Sequence, residues 1–401
     1  MRIALFTEVY WPMVSGVSLT LTKTVEALLA AGHQVWVYAP RYPLPDGAHP
    51  RDEVHGVSGK PLFLSPEVRW GRPSFPGIAG ELEVFAPDVI HLATEWAMGS
   101  VGRRVARTLG VPVVASAHTD YERYADRYRL GWATAPGWSY LRWFYRAAHV
   151  VLAPTERYRR RLVARRVGPT GIWGRGVDPI AFHPGRRSEG YRRQLGLGPD
   201  DLLVAAVGRL APEKGLEELL DAWARIAPRH PTAHLALTGS GTLEPRIRRR
   251  GLPRLHLTGV RRDRALAEAY ASADCFVMPS ATETFGNVTL EAMASGLPVL
   301  AARAGGVLEF GVHGANAWLV EPRDAGALAD GLDRLLADPA LRRHLGRAGR
   351  ATALDRPFGP TVERLLGHYR SAIAAHPSAG RAARPRAPRE ALAPRRASAP
   401  A

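Results

Sequence analysis

The chain has 401 residues, 46% of them hydrophobic, a single cysteine and a formal net charge of +17. That length supports two packed domains with separate cores, and the lack of any apolar run of about eighteen residues excludes a membrane-spanning helix. The lone Cys275, inside the run DCFVMPS, excludes an intrachain disulfide and reads as a small core hydrophobe.

The amino-terminal stretch RIALFT has the continuous apolar pattern of a buried strand rather than of a cleavable leader, so a cytoplasmic location is expected. A glycine-containing loop and a helical stretch over residues 19–33 follow, with Gly32 where helices commonly stop. Then come the strand QVWVYAP, the strand PDVIHLA, the helix MGSVGRRVARTLG, the strand VPVVASAH and, after a long aromatic and basic segment, HVVLAPT. Short apolar strands alternating with helices indicate βαβ units and a parallel sheet covered on both faces. The pattern restarts after the loop GRGVDPIAFHPGRRSEG, with the strands DLLVAAVGRL, AHLALTG, RLHLTG, DCFVMPS and PVLAA separated by helices. The chain therefore reads as α/β, with two doubly wound Rossmann-like domains over residues 1–185 and 186–355. A helix over 356–375 is expected to pack back on the first domain. The tail, residues 376–401, holds six arginines against one glutamate, which is +5 of the +17, and has no apolar periodicity; it reads as disordered.

Ligands of open α/β sheets bind beyond the carboxyl ends of the strands, so the loops that follow the strands carry the chemistry. The stretch ATETFGNVTLEAMAS follows DCFVMPS, which places Glu283 on a loop and Glu291 within the next helix. Backbone N–H groups of Phe285, Gly286, Asn287 and Val288 at that helix start suit phosphate, and Glu291 can accept from vicinal hydroxyls such as those of a ribose. In AVGRLAPEKG the strand ends at Gly208 and offers Arg209 and Lys214 beside another helix start, two cations suited to a diphosphate. Gly16 marks a close approach or a tight turn in the first domain, and His118 closes a central strand, where a histidine more often serves a site than a core. Gly239 and Gly241 form a G-x-G with no acidic partner. Aspartates spaced i, i+2 and histidine–cysteine clusters with zinc spacing are absent, so no metal and no cofactor are expected.

Excess charge of +12 outside the tail could serve acidic headgroups, phosphorylated substrates or nucleic acid. Trp132, Trp138, Trp143, Phe144 and Tyr145 lie among Arg127, Arg129, Arg142 and Arg146, and TERYRRRLVARR adds six arginines; this mixture suits peripheral contact with an anionic membrane surface. A basic nucleic-acid-binding protein is the alternative from another class, but no recognised nucleic-acid module accompanies the tail, so no nucleic acid is expected.

Over residues 1–370 the chain resembles the retaining family 4 glycosyltransferases, on SGV at Ser15, HTD at His118, GRGVDPIAFHP, GRLAPEKG and, above all, ETFGNVTLEAMASGLPVLAARAGG. The resemblance implies the GT-B architecture, two facing Rossmann-like domains with substrates in the cleft, and hexose transfer from a nucleotide-sugar donor to a lipid or glycan acceptor without metal. It implies that Arg209 and Lys214 bind the donor diphosphate, Glu291 the ribose and Glu283 the transferred sugar. Thr284, Phe285, Gly286, Asn287 and Val288 would line the phosphates, with Gly16 closing on them, Val260 meeting the base and His118 positioning the reacting sugar. Ser15 departs from the glycine many members carry, which puts in doubt how closely the backbone approaches there. The nearest look-alikes use GDP-mannose, which is the favoured donor, or UDP-sugars in glycolipid synthesis.

Overall fold

Strand β1 (Arg2–Phe6) lies parallel between β2 (Gln34–Pro40) and β6 (Val89–Leu92). The first sheet is completed by β3 (Val54–Val57) beyond β2 and by β7 (Val113–Ser116), β8 (Val150–Ala153) and β9 (Thr170–Ile172) beyond β6, giving the order β3-β2-β1-β6-β7-β8-β9. The computed structural model describes residues 1–45, 47–62, 65–122 and 131–377. Ile3 and Leu5 enter one core cluster and Ala4 and Phe6 another, the two-residue alternation of a strand covered on both faces.

The second sheet has β10 (Leu202–Val207), β11 (Ala233–Thr238), β12 (Leu255–Gly259), β13 (Cys275–Met278), β14 (Val299–Ala302) and β15 (Trp318–Val320), in the order β12-β11-β10-β13-β14-β15. Leu203 and Ala205 face one cluster, Val204 and Ala206 the other. Cys275 is buried in this core, and burial pushes its thiol up to about 12.

Between β3 and β6 three elements fall where the sequence suggested none. An antiparallel hairpin of β4 (Gly59–Leu62) and β5 (Ser65–Gly71) and the helix Phe75–Phe85 occupy the stretch between β3 and β6.

The helix Gly359–Ala375 returns to the first domain, where Leu365, Leu366 and Tyr369 pack with Ile3, Leu21 and Trp173. Val177 and Phe182 already pack in the second domain's core. Val177 accepts from the Phe358 N–H at 3.0 Å and donates to the Arg356 carbonyl at 3.0 Å, so the outgoing and returning chain cross between domains side by side.

Both sheets reverse their winding once, between β1 and β6 and between β10 and β13. The crevices beyond those strand ends are where such sheets take ligands. The loop to Gly16 follows β1, and the loops carrying Arg209, Lys214 and Glu283 follow β10 and β13.

Candidate active site

The two loops at the reversal of the second sheet are tied together. Ser280 Oγ and Thr282 Oγ1 donate to the Glu213 carbonyl at 3.2 and 3.1 Å, so the β13 loop holds the β10 loop in place. Lys214 Nζ pairs with Glu283 Oε1 across that junction. Arg209 is held on two sides: Glu213, which is buried, receives one edge of its guanidinium at 2.6 Å, and Glu67 of the β4–β5 hairpin receives the other at 2.8 Å. Glu67 belongs to the first domain and is exposed, whereas Glu213 is buried, so the pair with Glu67 is the more weakly held of the two.

The helix Asn287–Ala294 begins beside this pair. Its cap, Gly286, has φ +94°, which favours glycine, and no side chain caps the helix. Among the described residues no carbonyl receives the N–H groups of Gly286, Asn287 and Val288, and the buried Asn287 Oδ1 and Thr289 Oγ1 have no hydrogen-bond partner. A helix start with open N–H groups is therefore present where the sequence placed one. Phe285 does not face the cleft; its ring is buried against Phe310 at 5.5 Å, so only its backbone can meet a ligand. Gly306 permits this packing: a Cβ there would lie 2.2 Å from Phe285 Cα, and the Gly306 N–H donates to the Glu283 carbonyl at 2.8 Å. Glu291 accepts from Tyr270 Oη at 3.0 Å. Burial raises its carboxyl pKa, while the charge of Lys23, from the first domain, pulls the other way.

The first domain meets this loop through two residues singled out in sequence, Gly16 and His118, and through Thr20. Gly16 is the first residue of the helix Gly16–Ala30, which Ser15 and Ser18 cap reciprocally, so it is not a tight turn. A Cβ on Gly16 would meet only Asn287 Nδ2, at 3.9 Å. Asn287 Nδ2 donates across the cleft to Thr20 Oγ1 at 3.1 Å, and Thr284 Oγ1 donates to the His118 carbonyl at 2.9 Å. The His118 ring is buried and fully engaged. Arginine can only donate, so His118 Nδ1 accepts from Arg175 at 2.8 Å and its Nε2 donates to Ser116 Oγ at 2.7 Å. Ser116 in turn donates to His91 Nε2 at 2.8 Å, and His91 Nδ1 donates to Tyr369 Oη at 2.6 Å. Burial keeps both rings neutral, lowering His118 well below its ordinary pKa and His91 to about 3. What His118 offers the other domain is its carbonyl.

Val260 is 46% exposed at the end of β12, and its neighbour Arg262 donates to the Pro12 carbonyl at 3.2 Å, closing the cleft on that side. In the aromatic and basic segment, Trp138, Phe144 and Tyr145 are core residues, whereas Trp132 is 79% exposed and Trp143 47% exposed beneath the Arg103 guanidinium at 3.9 Å. Arg127 and Arg129, like residues 378–401 of the tail, lie outside the described residues. Sequence reasoning missed Glu67, Glu213, Lys23, Tyr270 and the Arg175–Tyr369 chain. Glu213 and Arg175 stood inside quoted motifs, but no spacing rule marks a residue whose partner is brought by another element.

The chain matches the family "Glycosyl transferases group 1" over residues 188–352 and "Glycosyltransferase Family 4" over residues 14–180. It is 36% identical to a GDP-mannose-dependent alpha-mannosyltransferase of Mycolicibacterium smegmatis, covering 93% of this chain and 98% of that one. It is 35% identical to a sulfoquinovosyl transferase of Arabidopsis thaliana, covering 87% and 69%. Among solved structures, sucrose-phosphate synthase from Thermosynechococcus elongatus superposes with a TM-score of 0.77 at 24% identity, over 94% of this chain and 100% of that chain. Anabaena HepE in complex with UDP-glucose superposes at 0.73 with 22% identity, over 93% and 100%. Two parallel sheets reversing at facing crevices, the helix start between Glu283 and Glu291, and relatives spanning both domains give one conclusion: the chain belongs to the family 4 glycosyltransferases of GT-B fold and is a nucleotide-sugar-dependent hexosyltransferase.

Proposed function

We propose that the protein transfers mannose from GDP-mannose to a hydroxyl of a lipid or glycan acceptor, with retained anomeric configuration and without metal. The observation that carries the reading is the junction of the β10 and β13 loops, where Arg209, Lys214 and the open helix start converge with Glu283. Those cations and N–H groups offset the charge that grows on the departing nucleoside diphosphate, a preorganised contribution that is large in a closed cleft. Glu283 addresses the hexose, and Glu291, oriented by Tyr270, the ribose. The leaving diphosphate oxygen takes the acceptor's proton, so no protein base is required. A retaining glycosidase would need two carboxylates about 5 Å apart flanking the bond, whereas here one glutamate pairs with the diphosphate lysine and the other with a tyrosine on the nucleotide side.

GDP-mannose is favoured because relatives at 36%, 35% and 30% identity carry that donor in their names. Use of a UDP-sugar in glycolipid synthesis is the second reading, supported by the sulfoquinovosyl transferase and by an alpha-monoglucosyldiacylglycerol synthase of Streptococcus pneumoniae at 28% identity. The test is a panel of GDP-mannose, UDP-glucose, UDP-galactose and UDP-N-acetylglucosamine, read as nucleoside diphosphate release and protection against heat. GDP-mannose is expected to score in both; a UDP-sugar scoring instead selects the second reading, and failure of all four overturns donor binding at this site.

A further inference from the structure

A row of buried polar groups runs from the core of the first domain to the cleft. Tyr369 Oη, the His91 ring, Ser116 Oγ and the His118 ring are joined in that order at 2.6, 2.8 and 2.7 Å, and Arg175 reaches the other nitrogen of His118 at 2.8 Å. Tyr369 is fully buried in a cluster whose other members include Ile3, Leu21, Leu365 and Leu366. A phenylalanine would fill that space without a polar group to bury, so packing alone gives no reason for the hydroxyl. Its partner is His91. The ends of the row stand on the two segments that join the domains: Arg175 lies two residues before the crossing at Val177, and Tyr369 lies on the helix Gly359–Ala375 that follows the crossing at Phe358. At the cleft end, the Ala117 N–H still donates to the Leu152 carbonyl at 2.9 Å, but among the described residues no backbone–backbone hydrogen bond holds His118 itself. Its ring does, bonded at both nitrogens and set edge-on to Trp173 with centroids 5.8 Å apart.

We infer that Tyr369 is a positioning residue for the transfer: through His91 and Ser116 it fixes His118, and through the His118 carbonyl it holds Thr284 and the Glu283 loop against the first domain. The inference rests on the glycosyl-transfer reading above. Thr284 Oγ1 donates to that carbonyl at 2.9 Å, and Thr284 is the neighbour of Glu283. Without the Tyr369 hydroxyl, the His91 Nδ1–H has no acceptor in a fully buried place. A buried donor left without a partner turns toward another one, and each group that turns withdraws a bond from the next, as far as the His118 backbone. Arg209 and Lys214 stand on the second domain, outside this row, so the effect falls on turnover rather than on donor affinity.

The experiment is a double-mutant cycle on the full chain, read by amide hydrogen exchange over residues 280–286 and by kcat with the nucleotide sugar that the protein turns over. Tyr369→Phe removes only the hydroxyl, and Thr284→Val removes only the hydrogen bond that the row supports. Tyr369→Phe is expected to speed exchange over 280–286 about tenfold and to lower kcat about tenfold, with donor KM changed by less than about twofold. Thr284→Val is expected to do the same, Thr284→Ser to recover most of the loss, and the double variant to be no worse than Thr284→Val alone. Ser116→Ala interrupts the row one step nearer the cleft and is expected to reproduce Tyr369→Phe; it takes that variant's place in the cycle if Tyr369→Phe does not fold. Effects that multiply in the double variant overturn the inference, because they give Tyr369 and Thr284 independent roles. An unchanged kcat overturns it too, as does faster exchange confined to the helix Gly359–Ala375. If the wild type turns over no nucleotide sugar, the transfer reading fails instead; the exchange cycle then decides alone, with multiplying effects or an unchanged 280–286 segment overturning the inference.

Discussion

Glu283 and Glu291 stand eight positions apart but answer to different partners, a lysine on the neighbouring loop and a tyrosine beneath the helix. Their substitutions should therefore separate in steady-state kinetics. Glu291→Ala is expected to raise donor KM by about ten- to a hundredfold, the scale of one lost charged hydrogen-bond pair, with a smaller effect on kcat. Glu283→Ala is expected to lower kcat by about a hundredfold with donor KM little changed; equal, negligible effects of both refute the assignment. Glu67 gives the opposite sign. Because it occupies one edge of Arg209, Glu67→Ala removes a competitor and is expected to lower donor KM by about two- to fivefold, an exposed pair being weak. His91 supplies a pH signature. Its folded pKa of about 3 lies below its ordinary value of 6.5, so the unfolded chain binds the extra proton between those values and the histidine's stabilising contribution is lost as pH falls through them. Glu8, raised by burial to about 7, acts with the reverse sign in the window from 4.5 to 7. The readout is accordingly a difference: the gap in Tm between wild type and His91→Gln is expected to narrow as pH falls from 7 to 4, and a pH-independent gap refutes it.

At the scale of elements, the helix Asn287–Ala294 depends on what lies behind it. Gly306→Ala places a Cβ against backbone rather than a pliable side chain, so the Glu283–Gly286 loop must move. Loss of donor binding by calorimetry with retained circular dichroism is the expected outcome; wild-type affinity would show the loop is not held there. Elements with continuous apolar strands and helical spacing were legible in sequence, because β1, β7, β10 and β13 are buried on both faces and are apolar at nearly every position. The β4–β5 hairpin was not: KPL and EVRWG alternate weakly, with only a two-stranded sheet to satisfy. Glu67 was lost with it. The loop-borne Arg209, Lys214 and Glu283 were legible because strand ends locate them, whereas Lys23, Tyr270 and Glu213 act through tertiary neighbours that local spacing does not encode.

For the whole molecule, Trp132 and Trp143 are exposed on the first domain, Trp143 next to Arg142 in sequence and beneath the Arg103 guanidinium. No helix among the described residues is long and apolar enough to cross a membrane; we propose that these exposed aromatic and basic side chains make peripheral contact with an anionic surface. Co-sedimentation with anionic vesicles at low salt is expected, weakened several-fold, about 1 kcal/mol, by Trp132→Ala with Trp143→Ala; identical sedimentation with and without vesicles removes the proposal.

The paired crossing at Val177 and Phe358 has a mechanical meaning. Two backbone segments pass between the domains side by side and are bonded to each other, a geometry that would favour rotation about their common line over sliding. A rotation about that line would part the contacts that join the two domains here, Asn287 to Thr20, Thr284 to His118 and Arg209 to Glu67, without touching the strand pairing within either sheet. We expect any such opening to be a single stroke, the same rotation releasing a spent nucleotide and admitting the next sugar.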